Sequence, residues 1–392
     1  MEKKIGCVIA YTKNHNNYGT ALVGYALIKT IQKLGYNCEI IRYEKSLSPL
    51  DKLHLVYNMF RVKEKSKIRG LKNKFYKKRY KVYRDGIAER TIAVNKYKSE
   101  KLDPLFEHYK GFENLKKGSL NYDAVVVGSD QVWTPMSLYS KFFNLLFVNE
   151  SVPKIAYASS FGVSQIPNFQ REETKSYLER FYKIGVREIK GKEIVESIST
   201  AEATVVADPT LLLDKDEWLE EISTSVIDYE KDSYIFCYLL GTNQETRNAI
   251  NDLKKKTGLK VVVIRHMDEF VKNDESFGDD APYNVSPNDF LKLIANAKYV
   301  CTDSFHCTIF SVHFERKFIT FYRFNSKSKN SRNSRIDSLF SILQLGDRLY
   351  QGGDLSLQIS KDIDFFRVQE RVARLRKESL DFLQESLDVV SR

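Results

Sequence analysis

The sequence predicts an α/β protein built from two Rossmann-like domains that face each other across a cleft. Its 392 residues exceed what one hydrophobic core usually serves, and a hydrophobic content of 42% is enough for two cores. In both halves, short apolar runs typical of buried parallel strands alternate with amphipathic segments of helical length. A crossing segment that begins at Asp208 and Pro209 separates the two alternating halves.

The first half begins with a strand at residues 5–10, an amphipathic helix that ends at Gly35, and a strand at 38–43. Residues 50–117 interrupt the alternation and are predicted to form a basic helical insertion. Strands resume at 124–127, 154–162 and 184–188, and residues 204–213 close the half. The pattern therefore predicts an N-terminal Rossmann-like domain over residues 1–213, with the insertion at about 50–117.

The second half repeats this organisation. Strands are predicted at residues 234–240, 260–264, 299–301 and 318–322, and one of the helices between them starts with Pro287 at its first position. The pattern predicts a C-terminal Rossmann-like domain over residues 214–365. Residues 366–392 are predicted to form a C-terminal helix that packs back on the first domain.

The composition argues against several other classes of protein. The five cysteines are scattered and form no CxxC pair, so neither a disulfide framework nor a zinc site is predicted. The apolar run at residues 5–10 is too short for a signal peptide, and no run of about 18 apolar residues occurs. We therefore expect a cytoplasmic protein with reduced thiols and no metal site.

The positive charge is concentrated in one part of the chain. The net charge is +11, and residues 61–120 alone contain 19 Lys/Arg against 7 Asp/Glu. Such a block can bind nucleic acid or an anionic membrane surface, and a solvated lysine-rich helical hairpin explains it equally well. We expect peripheral contact with the inner face of the cell membrane and no nucleic-acid partner.

Polar residues follow the predicted strand at 299–301. Asp303, Ser304 and His306 stand where a helix begins after a buried strand, the place where open α/β sheets bind ligands. The free N–H groups of such a helix favour phosphate or carboxylate, and a histidine there can move a proton. The competing interpretation is that Asp303 or Ser304 caps the helix and His306 is structural.

Two loops of the first half are both predicted to lie at the carboxyl ends of their strands, on one edge of the first sheet. Residues 16–19 (NNYG) follow the first strand, and residues 128–133 (GSDQVW) follow the strand at 124–127. Asp130, Gln131 and Trp133 offer a carboxylate, an amide and an indole, which suit sugar hydroxyls and the apolar face of a sugar. The alternative to sugar binding is that Asp130 is a capping residue and that Trp133 packs in the core. The first loop lacks the G-x-G-x-x-G spacing of dinucleotide-binding proteins.

Taken together, the motifs resemble the polysaccharide pyruvyl transferase family from the first loop to about residue 345. The matching segments are 17–19 (NYG), 122–123 (YD), 127–133 (VGSDQVW), 158–162 (ASSFG), 186–188 (VRE), 208–212 (DPTLL), 286–287 (SP) and 302–306 (TDSFH). The resemblance implies a glycosyltransferase-B-like fold. It also implies transfer of pyruvate from phosphoenolpyruvate, the co-substrate, to a free or lipid-linked sugar in bacterial capsule, exopolysaccharide or wall-polymer synthesis. No other cofactor is implied.

The same resemblance implies roles for individual residues. His306 matches the catalytic histidine of the family, and Arg187 matches an arginine expected to hold the donor. The family usually has Gly after this histidine, whereas this chain has Cys307, which leaves the local backbone path open. Ser304 and Phe305, which precede His306 in the matching segment, are assigned to the donor site. The C-terminal domain is therefore expected to bind the donor and the N-terminal domain the acceptor.

The chemistry of phosphoenolpyruvate adds further candidates. Its phosphate and carboxylate require fixed cations, and a basic loop at residues 323–335 offers several. The candidates in this loop are Lys327, Lys329, Arg332 and Arg335. We expect Asp130 and the loop residues Asn16, Asn17 and Tyr18 to orient the acceptor hydroxyls.

Three other functions remain open at this stage. A glycosyltransferase that uses a nucleotide sugar would need an acidic residue for the ribose, and Asp268 or Glu269 are candidates. A nucleic-acid or membrane binder acting through residues 61–120 would leave the polar strand ends unexplained. A cysteine enzyme that pairs Cys307 with His306 is disfavoured, because neighbouring side chains lie about 100° apart on a helix.

Overall fold

Two fully parallel sheets form the framework of the protein. The structure, a computed structural model, describes residues 3–12, 16–45, 57, 75–76, 78–266, 270–324 and 333–391. The first sheet consists of β1 (Lys4–Val8), β2 (Asn37–Glu44), β3 (Phe106–Lys110), β4 (Ala124–Val127), β5 (Lys154–Ser159), β6 (Lys183–Val186) and β7 (Ala203–Val205). Their spatial order is β3-β2-β1-β4-β5-β6-β7, and each neighbouring pair is parallel.

The second sheet has four strands: β8 (Tyr234–Tyr238), β9 (Lys260–Ile264), β10 (Tyr299–Thr302) and β11 (Lys317–Thr320). Their order is β11-β10-β8-β9, again with parallel pairing throughout. The predicted α/β class with two Rossmann-like halves is confirmed, because each sheet alternates with helices along the chain. In both sheets the first strand in the sequence lies inside the sheet, so the strand order reverses there and leaves a crevice at the carboxyl ends.

Helices connect the strands. The first half contains α1 (Tyr18–Lys33), α2 (Lys81–Lys101), α3 (Phe112–Gly118), α4 (Arg171–Leu178) and α5 (Ile189–Ile198). The remainder of the chain contains α6 (Lys215–Ile222), α7 (Gln244–Thr257), α8 (Pro287–Asn296), α9 (Phe305–His313), α10 (Ser334–Leu343), α11 (Leu355–Ser360) and α12 (Phe365–Leu387). Within the described residues, none of these helices combines the length and the apolar composition that crossing a membrane requires.

The segment predicted as a basic helical insertion is only partly helical. Its described portion contains α2 and α3, but β3 lies between them and forms the edge of the first sheet. Phe106 and Tyr109 of β3 are partly buried, whereas Glu107 and His108 between them are exposed. This edge strand therefore has few apolar residues, which is why the charged composition hid it. Most of residues 46–77 lie outside the described part of the chain.

The two halves share a continuous apolar contact. Tyr18, at the start of α1, stacks on Phe290 of α8 with ring centroids 4.6 Å apart, and its hydroxyl donates to the Val285 carbonyl at 3.0 Å. The last helix, α12, packs on the first half, where Ser379 Oγ accepts from the Ala207 N–H at 2.8 Å and Arg376 Nε donates to the Leu211 carbonyl at 2.7 Å. These contacts hold the two sheets in one arrangement.

Arg90 provides a polar link from α2 to the second half. The side chain is almost fully buried, and its guanidinium donates to the carbonyl oxygens of Tyr283, Arg265 and Pro282 at 2.9–3.1 Å. These three carbonyl oxygens therefore all accept hydrogen bonds from the same buried guanidinium group.

We expect Arg90→Ala to lower the free energy of unfolding by roughly 2–3 kcal/mol, because it removes charge-assisted hydrogen bonds and leaves buried carbonyl groups without donors. Urea unfolding followed by circular dichroism measures this. The control is Arg84→Ala, at an exposed position of the same helix, which should change stability by less than about 0.5 kcal/mol. Equal effects of the two substitutions would contradict the structural role of Arg90.

Candidate active site

The carboxyl ends of the strands in both sheets meet at one polar cluster. Arg187 follows β6, Asp208 lies in the loop after β7, and His306 lies at the start of α9, directly after β10. All three side chains are buried, with exposed fractions of 7% or less. Parallel strands bring their carboxyl ends to the same edge, and this explains how residues more than 100 positions apart in the sequence come together.

The Asp208 carboxylate is the centre of the cluster. Its Oδ2 accepts from Arg187 Nη1 at 2.7 Å and from Ser129 Oγ at 3.2 Å, and its Oδ1 accepts from the backbone N–H and hydroxyl of Thr210 at 3.0 and 2.7 Å. Burial alone would raise the pKa of Asp208, but His306 and Arg187 hold it well below its usual range. Asp208 is therefore a fixed negative charge.

His306 lies against both halves of the molecule. Its Nε2 is 3.6 Å from Asp208 Oδ2, which is longer than a hydrogen bond, and Nε2 has no hydrogen-bond partner among the described residues. On the other side the ring contacts Gly19 in the first turn of α1, where an added Cβ would lie only 2.1 Å from His306 Nδ1. Gly19 is thus needed for the close approach of the helix to the ring.

The backbone around His306 follows from the sequence of its loop. Ser304 is the N-cap of α9, and its Oγ accepts from the Cys307 N–H at 3.5 Å. Both carboxylate oxygens of Asp303 accept backbone N–H groups after β8, those of Leu240 and Gly241, at 2.7 Å each. Ser304 therefore has the capping role that the competing interpretation offered, whereas Asp303 does not cap α9 but ties the start of the helix to the loop after β8.

Arginine side chains surround Phe305. The Cζ atom of Arg187 is 4.9 Å and that of Arg335 is 5.5 Å from the centroid of the Phe305 ring, within the range of cation–π contacts. Burial, together with repulsion from Arg187, lowers the pKa of Arg335. In the part of the chain that the structure describes, the buried Nε atoms of Arg187, Arg335 and Arg323 and the Nη2 of Arg187 have no hydrogen-bond acceptor. Buried N–H donors without acceptors in a cluster of cations are suited to an anionic ligand.

The Asp130 carboxylate lies at the edge of this cluster, on the side of the first half of the chain. Its Oδ2 accepts from the Thr20 hydroxyl at 2.8 Å, its Oδ1 accepts from the Gln131 N–H at 2.8 Å, and Arg187 Nη2 is 3.9 Å away. Burial would raise the pKa of Asp130, but Arg187, His306 and Arg335 lower it. The backbone of Asp130 has a φ of 85°, an uncommon conformation for a residue other than glycine, which turns the chain sharply after β4.

A cavity of about 290 Å³ adjoins Asp130. Its polar lining includes Asn17, Thr20, Asp130 and Gln131, and Tyr11 contributes an aromatic surface. Asn17 is also the N-cap of α1, accepting from the Thr20 N–H at 3.4 Å. Asn16 is buried, and its Oδ1 has no hydrogen-bond partner in the described residues. Three of the predicted acceptor residues, Asn17, Asp130 and Gln131, thus line the cavity beside the charged cluster.

Two predicted acceptor residues are core residues instead. Trp133 has an exposed fraction of 3%, packs against Phe161, and donates its indole N–H to the Phe143 carbonyl at 3.0 Å. Tyr18 is fully buried in the contact with Phe290. Neither aromatic ring can present a face to a sugar, so both assignments are wrong. Aromatic residues beside a polar loop do not by sequence alone reveal which way their rings turn.

The basic loop is only partly described. Arg335 lies in the cluster, while Lys327, Lys329 and Arg332 lie outside the described residues, as do Asp268 and Glu269. Arg323, at the start of this loop, donates from Nη2 to the Asp303 carbonyl at 3.0 Å and was missed as a site residue. Among the described residues, no group of three or more His, Cys, Asp or Glu side chains is arranged to hold a metal ion.

Sequence reasoning also missed Asp208, Glu188 and Gly19 as site residues. Asp208 and Glu188 each follow a strand of the first sheet, so their position at the carboxyl edge was the available signal. Conversely, the cysteine-enzyme hypothesis fails, because Cys307 is fully buried in the core and burial raises the pKa of its thiol far above the usual range.

The two parallel sheets define a class of protein, an α/β protein with a glycosyltransferase-B-like fold. The sequence model of the polysaccharide pyruvyl transferase family matches residues 17–325. The chain belongs to this family, and the family implies a transferase. A comparison with curated protein sequences found no match.

Solved structures with a similar fold include nucleotide-sugar enzymes. UDP-GlcNAc 2-epimerase from Neisseria meningitidis, bound to UDP-GlcNAc, is 11% identical, with 98% of this chain and 99% of that chain covered and a TM-score of 0.51. UGT89C1 from Arabidopsis thaliana is 9% identical over 100% of both chains, with a TM-score of 0.49. UDP-GlcNAc 2-epimerase from Methanocaldococcus jannaschii is 13% identical over 96% of this chain and 99% of that chain, with a TM-score of 0.48. At such identities the likeness extends to the fold alone.

The depressed pKa of Asp208 predicts acid sensitivity. A carboxyl group with a lower pKa in the folded state stabilises the protein fully above its unfolded pKa of about 3.9, and this stabilisation is lost as the pH falls through the folded value. Asp208→Asn should therefore reduce the pH dependence of the free energy of unfolding between about pH 5 and 2, by up to about 1.4 kcal/mol per pH unit. Urea unfolding at several pH values measures this slope.

The matched control for this measurement is Asp216→Asn, at an exposed position of α6. It should leave the slope unchanged, since an exposed carboxylate is well solvated in both states. An identical slope in Asp208→Asn and the wild type would mean that Asp208 is not the fixed charge inferred from its contacts.

Proposed function

We propose that this transferase moves pyruvate from phosphoenolpyruvate onto a pair of sugar hydroxyls to form a ketal, in the synthesis of a bacterial surface polysaccharide. One observation carries the proposal: buried guanidinium N–H groups of Arg187, Arg335 and Arg323 have no acceptor among the described residues, and they lie beside a histidine whose Nε2 is free there as well. A small ligand with two anionic groups and a reaction that moves protons would use both features. Family membership supports the same reaction class.

Phosphoenolpyruvate carries a phosphate and a carboxylate, and the unpartnered N–H groups of several arginines are available to bind them. Arg187 and Arg335 both contact Phe305, so their guanidinium groups converge on the ring that starts α9. The N-terminus of that helix adds backbone N–H groups and a partial positive charge. In the proposed complex the arginines bind the donor bidentately, as planar guanidinium groups do with carboxylates and phosphates.

His306 is the proposed base for the attacking hydroxyl. Its Nε2 is buried and has no hydrogen-bond partner within the described part of the chain, so a bound substrate hydroxyl would supply the missing partner. The Asp208 carboxylate, whose Oδ2 lies 3.6 Å from this nitrogen, is the nearest acidic group to it. Such general-base catalysis contributes typically ~10²–10⁴-fold to the rate.

The cavity beside Asp130 is the proposed acceptor site. It is lined by hydroxyl, amide and carboxylate groups, which can hydrogen-bond to sugar hydroxyls, and its volume of about 290 Å³ is that of a small-ligand pocket. Asp130 lies between this cavity and Arg187, so an acceptor held there would present its hydroxyls towards the proposed donor site. We infer that the acceptor is a free or lipid-linked sugar.

The proposal is tested with purified protein, phosphoenolpyruvate and a panel of galactose-, glucose- and N-acetylmannosamine-terminated acceptors, by following phosphate release and acceptor mass. His306→Gln should lower phosphate release by ~10²–10⁴-fold while the protein still binds phosphoenolpyruvate. Arg335→Gln should instead weaken donor binding, by roughly 10–100-fold, since one charge-assisted hydrogen bond is lost.

Arg367→Gln, which removes an exposed arginine on α12, is the matched control and should leave both quantities unchanged. Phosphate release that survives His306→Gln would remove His306 from the chemistry. Tight binding of a nucleoside diphosphate or nucleotide sugar, with no binding of phosphoenolpyruvate, would contradict the proposal and indicate a glycosyltransferase.

Gly19→Ala tests the position of the histidine rather than its chemistry. The new methyl group would overlap the imidazole, so the ring must move, and a displacement of about 1 Å can lower turnover by ~10²-fold. Because alanine favours helix formation, the variant should fold. The control is Gly24→Ala on the same helix, whose methyl group would meet the flexible ends of the Ile9 and Leu102 side chains. Equal turnover of the two variants would contradict the contact between Gly19 and His306.

A further inference from the structure

A buried carboxyl group, that of Glu188, remains unexplained in the proposed reaction. Ketal formation requires a proton for the methylene carbon of phosphoenolpyruvate and removal of protons from the attacking hydroxyls. His306 in one protonation state can perform only one of these tasks at a time. Glu188 directly follows Arg187 in the chain, and its side chain has an exposed fraction of only 3%.

Glu188 is the N-cap of α5, yet it makes no capping hydrogen bond. The first N–H of that helix, at Ile189, donates instead to Ser338 Oγ at 3.2 Å, on the helix that also carries Arg335. The carboxyl group of Glu188 is therefore released from the structural role that an acidic residue usually has at this position.

The hydrogen bonds of Ser160 indicate which oxygen of Glu188 can carry a proton. Ser160 Oγ accepts from the Gly162 N–H at 3.2 Å, so its single hydroxyl proton is available for Glu188 Oε1, which lies 2.6 Å away. Oε1 is thus an acceptor, and a proton on the carboxyl group must reside on Oε2. Oε2 is buried, has no partner among the described residues, and lies 3.9 Å from the equally unpartnered Nε of Arg187.

The surroundings shift Glu188 towards the neutral carboxylic acid. Burial raises the pKa of Glu188, an effect that Arg187, Ser160 and Arg335 reduce but do not cancel and that Asp130 reinforces. Among these neighbours Arg187, Arg335 and Asp130 are charged, whereas Ser160 acts through its hydrogen bond. Asp208, by contrast, is held ionised by direct pairing with Arg187. Two carboxyl groups on either side of one arginine are thus pushed towards opposite protonation states.

We propose that Glu188 is a catalytic acid, which delivers the proton on Oε2 to the methylene carbon of phosphoenolpyruvate. This inference rests on the proposed function. The electron pair of the C=C bond forms the new C–H bond, and the first acceptor oxygen bonds to the adjacent carbon while its proton passes to His306. The second hydroxyl then replaces phosphate, which leaves with the electron pair of the C–O bond. Of the two hydroxyl protons released overall, one balances the proton in the new methyl group and restores Glu188, and the other leaves on phosphate.

Glu188→Gln tests the role, because the amide keeps the size of the side chain and an acceptor for Ser160 but cannot supply an acidic proton. With phosphoenolpyruvate and the acceptor panel, phosphate release should fall by ~10²–10⁴-fold, and the variant should still bind phosphoenolpyruvate. Glu193→Gln, at an exposed position of the same helix, is the control and should behave as the wild type. A Glu188→Gln protein with wild-type phosphate release would overturn the inference.

Ser160→Ala distinguishes an acid from a structural carboxylate. The Ser160 hydrogen bond lowers the pKa of Glu188, so its loss should move the high-pH fall of turnover to higher pH. A structural carboxylate predicts no such shift, and an unshifted profile would contradict the assignment.

A measurement without an acceptor separates this inference from the proposed function. Calorimetry of phosphoenolpyruvate binding in two buffers of different ionisation enthalpy counts the protons taken up. Because the anionic ligand favours the neutral acid, the wild type should take up more protons than Glu188→Gln at some pH between about 6 and 9. Equal counts throughout that range would overturn the role of Glu188 while the proposed function stands. A wild type that binds no phosphoenolpyruvate would overturn the proposed function, and this inference with it.

Discussion

The pairing of the Asp208 carboxylate with Arg187 is the interaction on which the rest of the site depends. The carboxylate binds Arg187, which follows β6, at 2.7 Å and lies 3.6 Å from His306 of the second half, so one negative charge lies next to both proposed catalytic residues. Without it, the buried guanidinium of Arg187 would lose its closest counter-charge, which is strongly unfavourable in a desolvated site. The pairing also leaves the Nε and Nη2 of Arg187 without acceptors among the described residues, because a single carboxylate oxygen occupies only Nη1.

The loop that carries Asp208 is in turn fixed by the helix that carries His306. The Thr210 carbonyl accepts from His313 Nε2 at 2.8 Å and from the Trp218 indole at 3.0 Å. Burial lowers the pKa of His313 to about 4, so its imidazole is neutral near pH 7 and can keep this donor role. His306 and His313 are seven residues apart, two turns of α9, and each lies beside the 208–210 loop. The distance between Asp208 and His306 is therefore set by rigid elements rather than by flexible side chains.

The sequence was sufficient for the architecture and for part of the site. Buried parallel strands such as β4 and β9 are continuous apolar runs with clear ends, so their bounds and the two-sheet class followed directly. His306 and Arg187 each follow a predicted strand, and the resemblance to the pyruvyl transferase family then identified them as site residues. By contrast, β3 has few apolar residues, and the ring directions of Tyr18 and Trp133 depend on distant partners, Phe290 and Phe161. Pairings such as that of Asp208 with Arg187 depend on tertiary contacts, which periodicity does not encode.

The unpartnered donors of the arginine cluster also bear on selectivity. Each buried N–H that has no acceptor costs free energy in the unliganded protein, and a ligand that supplies the acceptors recovers that cost on binding. In the proposed complex, both the phosphate and the carboxylate of the donor are needed to satisfy Arg187, Arg335 and Arg323. A ligand with only one anionic group would leave buried guanidinium N–H groups desolvated and unpaired, and sites of this kind reject incomplete analogues far more strongly than apolar pockets do. In the proposed complex, the same unpaired donors that destabilise the empty site would therefore discriminate between ligands.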